Sequence, residues 1–509
     1  MGMDKAIKSV VIVGGGTAGW MAASSLSKFL NGKEIDITLV ESADIGTIGV
    51  GEATLPAIRE FNHYLGLDEV EFIKATNATF KLGIEFENWS QQGESFFHPF
   101  AGYGAPLDGV GFYHHWNRAR HLGEQSELGE YCLATQLALG NKFAQPNLQA
   151  NNPLAEFNYA FHFDASAYAR YLRSYAEKAG VSRIEQHITQ VNVEPQSGQI
   201  SSISLQDGRT ISGDLFIDCS GFQGLLIKQA LHIGYDDWRH WLPCDSAIAV
   251  PCTASEDLTP YTKSIAMDAG WRWRIPLQHR TGNGVVFCRD YMSEEQATDQ
   301  LLAQLDGAPL ADPLVIRFTT GKRQKMWHKN CVAIGLASGF MEPLESTSIA
   351  MIQNGISNIH QFFPFHGINE VEIAEANRLN DLQYERIRDF IILHYQATQR
   401  TDTPFWQHCQ RIELPDSLKH KIELFKERGH FARYDGEQFE INSWLSIFTG
   451  MKVYPKYNEM AAENMPKDAL LQQLAQIRKA INQGVGFAGS HADFINKHCQ
   501  ALAEASKAS

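Results

Sequence analysis

The spacing of apolar and polar residues changes several times along the chain, and each change predicts an element. "SVVIV" (Ser9 to Val13) is a short unbroken apolar run, the pattern of a buried strand. "GGGTAGW" then reads as a turn opening a helix that "MAASSLSKFL" continues, and "IDITLVES" as a second strand ending in an acid, which together make a βαβ opening. Between residues 160 and 228, "SAYARYLRSYAEKAGV" is helical and closed by Gly180. "HITQVNVEP", "ISSISLQDGR" and "LFIDCSG" are strands, with a turn at Asp207-Gly208. "NATFKLGIEFENW" alternates as one strand, with Phe80, Leu82, Ile84 and Phe86 on one side and Lys81, Gly83, Glu85 and Glu87 on the other. "GWRWRIP" (Gly270 to Pro276), within a strand-rich segment, sets Trp271, Trp273 and Ile275 against Arg272 and Arg274, with Pro276 closing the strand or lying at an edge. Residues 331–360 read as strand, glycine-bearing loop and helix, and beyond 370 the period becomes helical. The pattern predicts an α/β fold, with a Rossmann-like body over residues 1–365 and a mostly helical lobe over 366–509.

Composition narrows the function classes. A chain of 509 residues with 44% apolar types can bury a large core in two closely packed lobes. Its formal charge of −14 argues against a broad nucleic-acid-binding face. No apolar run is long enough to span a bilayer, and the N-terminal run leads straight into a glycine loop rather than a signal-peptide cleavage site. Ala6 stands where a myristoylation signal needs Ser or Thr. The eight cysteines are scattered without a Cys-x-x-Cys pair, so neither a zinc site nor a dithiol redox motif is supported. A reduced, cytoplasmic, metal-free protein is the expectation.

The strongest local chemistry is Gly14-x-Gly16-x-x-Gly19 between a strand and a helix. Glycines there allow a tight turn and close backbone approach, and the helix N-terminus, at Thr17 and Ala18, stabilises a pyrophosphate. Glu41 ends the next strand, where a carboxylate accepts hydrogen bonds from ribose hydroxyls. This loop does not by itself separate NAD from FAD. Other candidates are bland when taken singly: Lys81 reads as a solvated lysine on a polar strand face, Glu345 as a helix cap, and His98 and Phe100 as aromatic packing.

Resemblance gives these residues a common purpose. "GVGEAT", "IDCSGF" and "AIGLASGFMEPLEST" are similar to successive FAD-contacting segments of flavin monooxygenase-type proteins, although Leu336 stands where many of those have a Gly-Asp pair. The order and spacing of "GGGTAGW", "GVGEAT", "FKLGIEFENW", "HPF", "GWRWRIP" and "EPLEST" resemble those of flavin-dependent tryptophan halogenases, from about residue 8 to 480. The Trp-x-Trp-x-Ile-Pro signature is the most specific element.

The resemblance implies an FAD-binding body with an interleaved substrate sheet and a helical lobe over the substrate. Ala53, Ile188, Leu336 and Ile349 join the glycine loop as flavin contacts. It also implies that FADH₂, O₂ and a halide (bromide or chloride) yield hypohalous acid, which reaches Lys81 through an enclosed passage walled by Trp271 and Trp273. Lys81 then either hydrogen-bonds the acid or forms a haloamine, and Glu345 stabilises the arenium intermediate or takes its proton. Thr347 and Ser348 match the halide-binding backbone, but Ser348 replaces the family's glycine, which suggests a preference for bromide. No second dinucleotide loop is present for NAD(P)H, so a separate flavin reductase is the implied partner, and a homodimer is compatible with the resemblance.

His98 and Phe100 match half of the indole sandwich, with Trp444 as a candidate for the other half. The clamp that holds the amino-acid end of free tryptophan is incomplete, because only Tyr434 is present and Phe439 is followed by Glu440. Indole or a substituted indole is therefore the expected substrate, with free L-tryptophan the alternative and aromatic monooxygenation a more distant one.

Overall fold

The computed structural model describes residues 6–42, 52–146 and 152–501. Gly49, Val50 and Gly51 of "GVGEAT" lie outside the described residues. The predicted βαβ opening is present as the strand Ser9–Val13, the helix Thr17–Phe29 and the strand Asp36–Glu41. These strands sit inside a six-stranded sheet of order Trp327–His328, Cys331–Ala333, Leu215–Asp218, Ser9–Val13, Asp36–Glu41, Ser182–Glu185. All its pairings are parallel except that between the first two strands. Val10 to Val13 are buried because both faces of a parallel sheet are covered, which is why the run lacks alternation.

A seven-stranded sheet forms the second layer, in the order Leu314–Arg317, Ser246–Thr253, Arg280–Phe287, Gly270–Pro276, Thr262–Ala266, Gly83–Glu87, Ser95–Pro99. Its only parallel pairing joins Thr262–Ala266 to Gly83–Glu87. A small sheet of Glu52–Ala53, Ala160–Phe163 and Thr79–Lys81 bridges the layers. Helices dominate after residue 370, the longest being Glu370–Gln396 with 27 residues. Its second half, Ile387 to Tyr395, is buried on every side, so it serves as core rather than as an amphipathic surface helix. Among the described residues no helix is long and apolar enough to cross a membrane.

Two expectations need correction. The alternating stretch from Thr79 is not one strand: Thr79–Lys81 belongs to the small sheet and Gly83–Glu87 to the large one. The chain changes sheet at Leu82, whose N–H bonds Pro260 O at 2.7 Å while its carbonyl accepts from Phe100 N–H at 2.9 Å. Gly83 is required just after the break, because a Cβ there would lie 2.3 Å from His98 O. Lys81 therefore shares no face with Glu85 and Glu87, and its relative exposure is 0% rather than that of a solvated lysine.

The strand Gly270–Pro276 is central rather than at an edge, and Pro276 is its last residue. Its arginine face is covered as well as its tryptophan face. Arg272 Nη1 donates to Gln304 O at 2.7 Å, and Arg274 pairs with Asp306.

Candidate active site

The glycine loop builds a cradle. A Cβ at Gly14 would meet Cys219 O at 2.3 Å, one at Gly15 would meet Glu41 Oε2 at 1.5 Å, and one at Gly19 would meet Gly14 O at 1.8 Å. Gly14 also has φ +109°, a conformation that favours glycine. At Gly16 nothing lies within 4 Å, and no side chain caps the helix that follows. Its first N–H groups are thus left for a ligand anion.

The cradle opens into a cavity of about 980 Å³, at the upper end of the range for small-molecule and cofactor sites. Gly14, Gly16, Thr17, Ala18 and Glu41 line it. So do Ala53, Ile188, Leu336 and Ile349, which are distant in sequence. Gly19 does not line it; that glycine lets the helix pack against the loop. Glu41 also receives Trp20 Nε1 at 3.3 Å and pairs with Arg183, a cationic wall residue that the sequence motif does not reveal. The cavity thus brings together a glycine loop, a helix N-terminus and a carboxylate, the features a dinucleotide cofactor needs.

Trp271 and Trp273 also line the cavity, with ring centroids 6.0 Å apart. Gly284 stands opposite Trp273, and a Cβ there would lie 2.1 Å from the indole. Trp271 Nε1 donates to Glu342 Oε2 at 2.8 Å, and Tyr395 OH donates to the same oxygen at 2.5 Å. Burial pushes Glu342 up to about 7 against the pull of these two bonds.

Ser346 and Ser348 line the same cavity. Lys81 stands one hydroxyl behind Ser346: its Nζ donates to Ser346 Oγ at 2.8 Å and to Thr54 O at 3.0 Å, with the Phe100 ring centroid 5.2 Å away. Burial lowers Lys81 from the usual 10.5 to about 7, partly opposed by the charge of Glu345.

Glu345 is wholly buried and caps no helix. His98 Nδ1 donates to it at 2.9 Å and His394 Nε2 at 2.8 Å. Burial alone would raise its pKa, but the two imidazoles outweigh that and hold it at about 2. Consecutive residues of one helix, His394 and Tyr395, thus grip the two glutamates of "EPLE".

Thr347 and Ser348 begin the helix Ser348–Gln361, which has no side-chain cap, so N–H groups of its first turn remain available beside the cavity.

The aromatic group around His98 differs from the expected sandwich. Phe390 and Phe439 lie 5.9 and 6.2 Å from the His98 ring and stack on each other at 4.0 Å, with Phe100 at 6.4 Å. Trp444 packs on Phe390 at 4.9 Å, and its ring makes no contact with His98. Phe390 and Phe439 are thus the rings packed nearest His98, while Trp444 lies one ring further, within the helix Ile441–Gly450.

A dinucleotide cradle with a cofactor-sized cavity, and a buried lysine one hydroxyl beyond its lining, fits a flavin-dependent enzyme. The sequence profile of the tryptophan halogenase family matches residues 9–467. Tryptophan 6-halogenase ThaL of Streptomyces albogriseolus is 36% identical over 490 residues, covering 89% of this chain and 91% of its own. Among solved structures, BrvH, a flavin-dependent halogenase from Brevundimonas sp. BAL3, superposes with a TM-score of 0.93 at 45% identity, covering 96% of this chain and 99% of its own. Xcc4156, a flavin-dependent halogenase from Xanthomonas campestris, gives 0.94 at 44% identity, covering 98% and 100%. The chain belongs to the tryptophan halogenase family and is a flavin-dependent halogenase.

Proposed function

We propose that this halogenase acts on indole or a substituted indole, uses O₂, and draws FADH₂ from a separate flavin reductase. When bound, reduced FAD supplies the activation of O₂ and halide that yields hypohalous acid. The observation that carries the rest is Lys81, buried behind the cavity-lining Ser346 with its pKa lowered to about 7 by burial.

A neutral Lys81 amine donates its two N–H groups to Thr54 O and Ser346 Oγ, which leaves the nitrogen lone pair free. That pair takes the halogen from hypohalous acid, and the displaced hydroxide leaves as water with one amine proton. The ring carbon then attacks the halogen and the N–X bond breaks, and the proton that the arenium ion loses restores the Lys81 amine. Glu345 stays ionised between His98 and His394, which suits it to stabilise the arenium charge rather than to act as a strong base. Thr347 and Ser348 hold the halide at the helix N-terminus.

Indole is favoured over tryptophan because the hydroxyl of the candidate clamp is engaged elsewhere. Tyr434 OH, the clamp hydroxyl that is present, bonds His420 at 2.6 Å. Mass spectrometry of indole and tryptophan incubated with FAD, a reductase, NADH and either halide tests this. Indole turnover is expected to exceed that of tryptophan by roughly tenfold or more, and bromide turnover to exceed that of chloride. Tryptophan as the sole good acceptor overturns the substrate reading, and equal or faster chlorination overturns the halide reading. The relatives named as tryptophan halogenases favour free tryptophan as the second reading.

Trp271 and Trp273 keep the aromatic substrate from the flavin. Trp271→Ala is expected to lower halogenation per FADH₂ consumed and to release hydroxylated product. Unchanged product ratios would return the strand to a purely structural role.

A further inference from the structure

A hydrogen-bond chain beside Lys81 fixes the polarity of one cavity wall. Thr79 Oγ1 lies 2.7 Å from Pro276 O, a carbonyl that can only accept, so the hydroxyl proton of Thr79 is committed there. His162 Nδ1 lies 2.9 Å from the same Thr79 oxygen, so it must be the nitrogen that carries the proton. His162 Nε2 then presents its lone pair to Thr262 Oγ1 at 3.0 Å, and the hydroxyl proton of Thr262 points at the ring. Burial keeps His162 in the neutral form this chain requires, holding its pKa well below the usual value.

Thr262 lines the flavin cavity, whereas Thr79 and His162 do not. With its proton spent on His162, the hydroxyl of this lining residue can serve a cavity ligand as an acceptor only. Cross-strand register puts His162, Thr79 and Lys81 on one face of the small sheet, with Thr79 opposite His162 and Lys81 opposite Ala160. Thr262 belongs to the strand beside the tryptophan strand, so it stands where the tryptophan wall meets the lysine sheet. Ser346 is complementary. Its oxygen accepts from Lys81, and its own proton meets no acceptor among the described residues, so it can donate into the same cavity.

We propose that Thr262 accepts the O–H hydrogen bond of hypohalous acid at the Lys81 end of the cavity. His162 and Thr79 act as positioning residues that keep Thr262 an acceptor. Ser346 donates to the oxygen of the acid, which leaves the halogen turned toward Lys81. The proposal rests on the hypohalous-acid route above.

Thr262→Val, Thr262→Ser and Thr79→Val are compared with the wild-type holoenzyme in bromide. Brominated product on indole or tryptophan is counted per FADH₂, and escaped hypobromous acid is trapped with phenol red. Valine at 262 is expected to cut the coupled yield about tenfold, the equivalent of one lost hydrogen bond, and to raise trapped oxidant, while serine restores both. Thr79→Val lets the His162 ring adopt the other tautomer, and is expected to leak in the same way although Thr79 does not line the cavity. In the flavin-free protein, ¹⁵N NMR should show His162 protonated at Nδ1 and bare at Nε2, with the assignment reversed in Thr79→Val. Melting temperature and FAD binding report on folding. Wild-type coupling in folded Thr262→Val overturns the proposal, as does an Nε2-protonated His162 in the wild type. A wild type that makes no brominated product while the NMR result holds overturns the halogenation reading instead, and this role with it.

Discussion

Lys81→Met is expected to abolish halogenation, with a loss on the order of 10²–10⁴-fold, while FAD affinity stays at the wild-type value and the protein becomes more stable at pH 6. Activity should fall because Lys81 Nζ is the buried amine bonded to the lining residue Ser346, through Oγ at 2.8 Å. Flavin affinity should hold because Lys81 does not line the cavity. The stability gain follows from burial. The native lysine titrates at about 7 and the unfolded one near 10.5. Below pH 7 both states carry the ammonium, and the fold bears its whole desolvation cost. Between pH 7 and 10.5 the unfolded state binds more protons, so wild-type stability rises with pH across that window. Methionine removes this cost, although it strips a donor from Thr54 O and Ser346 Oγ at about 1–3 kcal/mol for each group left unpaired. Urea denaturation should therefore show the variant ahead at pH 6, with the gap closing toward pH 9. More than a tenth of wild-type halogenation remaining would remove Lys81 from the chemistry, and a gap that ignores pH would mean that Lys81 keeps its proton throughout.

What could be read from the chain alone follows how local each interaction is. The glycine loop was legible because its turn, its helix and its acid lie within residues 9–41 of one βαβ unit. The burial of Lys81 was not legible from alternation, because the strand breaks at Leu82 and its halves join different sheets. Gly83 was the available signal, since a glycine inside a strand marks close backbone approach.

His394 and Tyr395 went unnoticed among the apolar residues of "FIILHYQ", although a histidine and a tyrosine inside such a run need buried partners. Arg272 and Arg274 misled in the opposite direction: period two separates them correctly from the tryptophans, but cannot show that Gln304 and Asp306 cover them. Spacing offers Trp444 as a ring near His98 but cannot place Phe390, which comes from a distant helix and packs between the two.

Glu345→Gln tests the other half of the site, and its expected effects separate charge from shape. The ionised carboxylate accepts from His98 Nδ1 and His394 Nε2 together. An amide of the same size offers one accepting oxygen and one donating NH₂, so it exchanges two charge-assisted bonds for neutral ones. His394 Nδ1 donates to Phe390 O at 2.8 Å, so a neutral His394 can turn its Nε2 lone pair to that NH₂, and the variant keeps the contact while losing its charge. Native Glu345 titrates at about 2 and unfolded glutamate near 4.5. Its contribution to stability is therefore present above pH 4.5 and lost as pH falls toward 2. The variant should be less stable than wild type at pH 7, with the difference shrinking as pH drops below 4.5. Glu345 also raises the pKa of Lys81, so glutamine should move that lysine below about 7 and leave more neutral amine at pH 6. If amine supply alone set the rate, the variant would be faster than wild type at pH 6. If the carboxylate stabilises the arenium ion, single-turnover halogenation should fall by roughly 10²-fold or more at every pH. A variant as fast as wild type, or faster at pH 6, would assign Glu345 to fixing His98 and His394 and leave the arenium charge to another group.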